Sequence, residues 1–90
     1  MRVVVLDRNR STCEGLAAGL GADEGIDVRG TAFSVAEALD ALEADAGIDA
    51  VVTTMNLGEA ELLELGRTLR DRDGAPHLVV AGLPSSASVL

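Results

Sequence analysis

The chain is 90 residues long, 48% apolar, with a single aromatic, Phe33. Its 15 acids stand against 7 bases, all of them arginine, for a formal net charge of −8. These counts exclude more than one domain, a nucleic-acid surface of clustered positive charge and docking to an anionic membrane. One cysteine and one histidine exclude an internal disulfide and a His/Cys metal cluster.

A chain of this size buries about 60% of its unfolded surface, enough for one modest core. With no Trp, no Tyr and one Phe, that core has to be aliphatic. The absence of lysine removes Schiff-base chemistry and the P-loop lysine. No apolar run approaches the ~20 residues of a membrane span. The opening Met1–Arg10 has an apolar stretch of only Val3–Leu6, too short for a signal peptide. A cytoplasmic location is the expectation.

Val3-Val4-Val5-Leu6 is an unalternating β-branched run, which reads as a strand buried on both faces. It exits at Asp7-Arg8-Asn9-Arg10. Ser11 and Glu14 fit a capping box, and Cys13, Leu16, Ala17 and Leu20 follow on one helical face, with Gly19 and Gly21 as the stop. Ile26–Ala32 alternates, as a half-exposed edge strand does. Ser34 and Glu37 form a second capping box before the stripe Val35, Leu39, Leu42 and Ala46, which Gly47 ends.

Ile48–Thr53 reads as a third strand, and Thr54–Gly58 as its exit loop. Glu59–Arg72 carries Leu62, Leu65 and Leu69 on one face, acids in the first turn and arginines in the last. That charge order suits the helix dipole. Gly74 and Pro76 close it, Leu78–Ala81 is a fourth strand, and Gly82–Leu90 is a loop that could enter a helix at Ser85 or Ser86. Strand and helix thus alternate, which implies an α/β fold with a parallel sheet, right-handed crossovers and helices on both faces. In such folds ligands sit at the carboxyl ends of the strands. Chemistry is therefore expected in the loops 7–10, 54–58 and 81–84.

Those loops carry a resemblance to a bacterial response-regulator receiver domain. Arg2–Asp7 resembles the first strand and its acidic exit. Gly25–Ala32 followed by Ala36–Leu39 resembles the second strand and helix, in wording most like receivers of helix-turn-helix transcription regulators. Ile48–Val52 with Met55-Asn56-Leu57 resembles the third strand and phosphorylation loop, and Pro76–Val80 the fourth strand. The resemblance implies a flavodoxin-like three-layer parallel sheet of alternating βα units. Its strand order would be 2-1-3-4-5, here without the fifth strand and helix. Residues 1–90 then form one receiver-like domain truncated in or before its fourth helix.

The family reaction uses an acceptor aspartate after strand three and an acidic pair after strand one that holds Mg²⁺. A Ser/Thr after strand four and a lysine after strand five contact the phosphoryl oxygens. In this sequence Asp7 matches the first acid, but Arg8 stands at the second. Thr54 stands at the acceptor position and Ala81 at the Ser/Thr position, and there is no lysine. One carboxylate beside an arginine is a poor Mg²⁺ ligand set. A threonine hydroxyl needs an adjacent base to act as a nucleophile. The implied pocket of Asp7, Arg8, Thr54 and Ala81 is therefore degenerate, with no catalytic residue and no cofactor. Asp7 is expected to pair with Arg8 or a backbone N–H, and Thr54 to satisfy its hydroxyl locally. Cys13 is expected in the core and His77 at a strand edge.

The function expected is a phosphorylation-independent regulatory module that works by protein contact and dimerisation. An apolar fourth-strand edge recruits another chain, giving a homodimer or a domain-swapped oligomer, with Leu83, Val89 and Leu90 as interface residues. DNA would be reached only through a downstream output domain. The alternative is a small-molecule sensor at the strand ends, with Arg8 as an anion clamp. No nucleophile–base pair supports an enzyme.

Overall fold

The computed structural model describes residues 1–72 and 74–81. Leu83, Val89 and Leu90, and the possible helix start at Ser85 or Ser86, lie outside the described residues. The elements run β1 (Arg2–Leu6), α1 (Arg10–Gly21), β2 (Asp27–Ala32), α2 (Val35–Ala44), β3 (Ala50–Thr54), a single 3₁₀ turn (Met55–Leu57), α3 (Glu59–Arg70) and β4 (His77–Ala81). All strand pairs are parallel, and the sheet order is β2-β1-β3-β4.

The buried-on-both-faces reading of β1 holds, because Val3, Val4, Val5 and Leu6 are all buried. The pleat divides the core in two. Val4, Leu6 and Val51 meet Leu42 of α2 and Leu65 and Leu69 of α3 on one face. Val3, Ala50 and Val52 meet Leu16 and Leu20 of α1 on the other. Two helices therefore cover one face and one helix the other. Among the described residues the edges are β2, half-exposed as its alternation predicts, and β4, where Val79 is 43% and Val80 40% exposed.

Local capping matches the sequence at α2 and departs from it at α1. Ser34 caps α2 by accepting a hydrogen bond from the Glu37 backbone N–H at 3.2 Å. Glu37 reaches back to accept from Phe33 N–H at 2.9 Å, one residue earlier than a standard box. For α1 the N-cap is Asn9, not Ser11, and its side chain accepts from Thr12 N–H at 3.0 Å. Asparagine caps as well as serine does, and the earlier cap starts the helix two residues sooner, close behind Asp7. Gly19 lies inside α1 and does not end it.

Helix α3 starts from Gly58, whose φ of 93° and ψ of 148° suit glycine alone. The chain can leave the 3₁₀ turn and enter α3 without strain only with no Cβ there.

Candidate functional site

The carboxyl ends of β1 and β3 bring Asp7 and Thr54 together. Asp7 follows β1 and its N–H donates to Ala32 O at 3.1 Å, which prolongs the β1–β2 ladder. Its side chain is fully buried. A carboxylate out of water needs hydrogen-bond donors on its oxygens. Asp7 Oδ1 accepts from Asn9 N–H at 2.8 Å. Asp7 Oδ2 accepts from the Thr54 hydroxyl and from Asn56 Nδ2 at 3.3 Å.

Thr54 works in two directions. Its hydroxyl donates to Asp7, and its oxygen accepts from Asn56 N–H at 3.2 Å. It thus caps the 3₁₀ turn while holding the Asp7 charge. The β1–α1 and β3–α3 loops are tied together through one carboxylate. A further tie runs between Arg8 and Glu61 of α3, which form an ion pair. Arg8 is half-exposed and its carboxylate partner is Glu61. Asp7 takes the backbone N–H alternative rather than Arg8 as its partner.

Ala81 is half-buried at the end of β4, level with Thr54 in the β3–β4 register. Its side chain has no polar group to offer the Asp7 carboxylate. Instead it lines a cavity of about 370 Å³ with Thr12, Gly15, Leu16, Thr54, Met55 and Asn56. That volume is at the lower end for small-molecule sites. Gly15, Leu16, Met55 and Ala81 give it mostly apolar surface, and Thr12, Thr54 and Asn56 bring polar groups. Among the described residues no charged side chain lines it.

Beside the site, Cys13 is fully buried. Its thiol lies 3.6 Å from both Val5 O and Ala32 O. Burial pushes that thiol up from its ordinary value, against the opposing pull of the backbone contacts. Arg10 stacks its guanidinium 5.0 Å from the Phe33 ring centre, at the mouth of the β1–α1 loop. His77 begins edge strand β4, exposed, as its sequence position implies.

The residues present do not fit a divalent cation. Mg²⁺ is held by several hard oxygen ligands, commonly more than one carboxylate. Here both Asp7 oxygens are engaged by protein donors, the adjacent residue is a guanidinium, and Thr54 presents no carboxylate. Among the described residues no group of three or more His, Cys, Asp or Glu side chains is placed to hold a metal. The sequence missed Asn56, the third donor to Asp7. A side-chain amide after a strand is a generic loop residue, and only the fold places it against a carboxylate 49 positions away.

No protein-family profile and no curated protein matches the sequence. The structure superposes on that of the isolated REC domain of RcsB from Salmonella enterica serovar Typhimurium, solved in the presence of the phosphomimetic BeF3⁻, with a TM-score of 0.72 and 14% identity. The match covers 98% of this chain and 67% of that one. The fold is that of a receiver domain, and the chain spans about two thirds of that structure's length. Among the described residues no helix is long and apolar enough to cross a membrane.

Proposed function

We propose that this chain is a cytoplasmic regulatory receiver-like domain of a two-component-type transcription regulator. It is not an enzyme, and it acts without phosphotransfer, through protein contact and self-association. The observation that carries this reading is the Asp7–Thr54 hydrogen bond at the strand ends. Where receiver chemistry needs an acceptor carboxylate and a cation, this chain has a hydroxyl that donates to the remaining acid. Thr54 is a poor acceptor here because a single carboxylate, already shared by three donors, is its only acidic neighbour in the network. The net charge of −8 leaves any DNA contact to another part of the regulator.

The test is incubation with acetyl phosphate or a histidine kinase, with and without Mg²⁺, read by intact mass. No phosphoryl adduct is expected. A Mg²⁺-dependent adduct on any residue of the Asp7 network would refute the reading.

The cavity of about 370 Å³ next to Thr54 favours a second reading, a small-molecule sensor. Arg8 is paired with Glu61 and does not line that cavity, so the earlier expectation of an anion clamp loses its cation. The ligand class that fits is a neutral, mostly apolar compound with one hydrogen-bonding group for Thr54 or Asn56. Melting shifts across a panel of such compounds test it, and a panel without a single shift removes it.

A further inference from the structure

Helix α3 turns Leu65 and Leu69 into the core, and its outward side carries an unusual stripe. Glu59, Leu63, Arg67 and Arg70 follow one another at spacings of four, four and three in the sequence. At 3.6 residues per turn these fall within one arc of roughly 80°. Leu63 sits near the middle of that arc and is 57% exposed. Arg8, Arg10, Arg29 and Arg72 are each ion-paired within the chain. Among the described residues, Glu59, Arg67 and Arg70 have no such partner. The stripe therefore presents an exposed leucine between uncompensated charges of opposite sign, acid toward the helix start and base toward its end.

We propose that this stripe is a homodimer surface on which α3 packs antiparallel against α3 of a second copy. The proposal rests on reading the chain as a contact module, and it names the surface and the partner. A two-fold axis at Leu63 sets that leucine against the partner's Leu63. Glu59 and Arg67 lie four residues to either side of Leu63. The same axis therefore brings Glu59 level with the partner's Arg67, and Arg67 level with the partner's Glu59. Two ion pairs flank one apolar contact, and both follow from a single symmetric operation, as an isologous interface requires.

Charge complementarity selects a second copy over other helices. A basic partner helix meets Arg67 and Arg70, and an acidic one meets Glu59, whereas the antiparallel copy offers the opposite sign at each level. Like-charge contacts reject wrong partners more strongly than paired charges reward the right one. The helix has 12 residues, so one helix pair buries less than the ~1,200 Å² of a standard interface. The association is accordingly weak and salt-sensitive.

The experiment is sedimentation equilibrium of the whole chain over a wide concentration range. The set is wild type, Glu59→Arg, Arg67→Glu, the Glu59→Arg/Arg67→Glu double variant and Val79→Lys. All three positions are exposed, and far-UV circular dichroism confirms that each variant is folded. Each single reversal creates two like-charge contacts and is expected to weaken self-association about tenfold, while the double variant recovers to within about threefold of wild type. Val79→Lys is expected to change nothing.

Single reversals without effect, or a double variant as weak as the singles, overturn the proposal. A dimer indifferent to the charge swap but broken by Val79→Lys moves the contact to the β4 edge; it overturns the α3 surface and leaves the contact-module reading intact. A wild type that stays monomeric throughout overturns both the surface and self-association.

Discussion

Replacing Thr54 with valine keeps the shape of the side chain and removes its hydroxyl. Asp7 Oδ2 then loses one of its two donors and keeps only Asn56 Nδ2 at 3.3 Å. Asp7 has no exposed surface through which water could substitute. A hydrogen bond to a charged group contributes about 1.5–3 kcal/mol, and an orphaned buried acceptor costs the full desolvation of that bond. The same change removes the cap of the 3₁₀ turn, because Asn56 N–H loses its acceptor. Loss of a capping hydroxyl typically costs about 1 kcal/mol. The expected destabilisation is therefore about 2–4 kcal/mol, which for a domain this size lowers Tm by about 10 °C or more. The chain has no Trp and no Tyr, so urea unfolding is followed by far-UV circular dichroism. Thr54→Ser is the control, since it keeps the hydroxyl and loses only a methyl group. If Thr54→Val stays within about 0.5 kcal/mol of wild type, inside the scatter of surface changes, the Asp7–Thr54 bond does not hold the site together.

Thr54→Asp sets a second carboxylate against the buried Asp7. Like charges at that range disfavour ionisation of both, so this variant is expected to lose about 2–3 kcal/mol without divalent ions and to regain part of it with Mg²⁺ or Mn²⁺. Indifference to those ions in calorimetry would show that the site has no room for a cation even with two acids. Thr53 is also fully buried, and among the described residues its hydroxyl has no hydrogen-bond partner. Thr53→Val removes that unpaired group at constant shape and is expected to stabilise by about 1 kcal/mol; a destabilised variant in urea would reveal a bond the geometry does not contain. The Cys13 thiol is held above its ordinary value by burial. The unfolded chain therefore releases that proton first, and Cys13 favours folding fully below the unfolded thiol's value and less as pH climbs toward the folded one. Stability of wild type should fall on the alkaline side more steeply than that of Cys13→Ala, and parallel curves would contradict the assignment. Gly58→Ala forces a Cβ into φ 93° and is expected to cost about 1–3 kcal/mol, measured by the same unfolding curves.

Most of the architecture was legible because it follows from local patterns. The unbroken Val3–Leu6 run could satisfy a strand only if both faces were covered, and they are. The Ser34 and Glu37 pair announced the start of α2, and the acid-to-base gradient of Glu59–Arg70 marked the direction of α3. The start of α1 was less legible, because Asn9 and Ser11 are both competent caps and two positions apart. Tertiary position chose Asn9, whose backbone N–H also serves Asp7. Sequence reasoning placed Asp7, Thr54 and Ala81 at the strand ends, but not the burial of Asp7. Its donors Thr54 and Asn56 stand 47 and 49 positions away, and no local pattern links them. The same holds for Arg8 and Glu61, whose pairing depends on how α3 leans over the β1–α1 loop.

The character of the site comes down to what a buried carboxylate demands. It has to bind a cation, take a proton or collect donors. Arg8 faces Glu61 and gives no direct help. Thr54, Asn56 and Asn9 supply the donors, with Asn9 serving Oδ1 and the other two sharing Oδ2. Thr54, at the end of β3, is thus the residue that makes the buried acid tolerable without an ion. On the reading proposed above, a carboxylate placed at position 54 alone does not make a phosphorylation site, because it removes the hydroxyl donor from Asp7 in the same step. A working phosphorylation pocket at these strand ends therefore needs a second change, at Arg8, beyond the cation affinity that Thr54→Asp supplies.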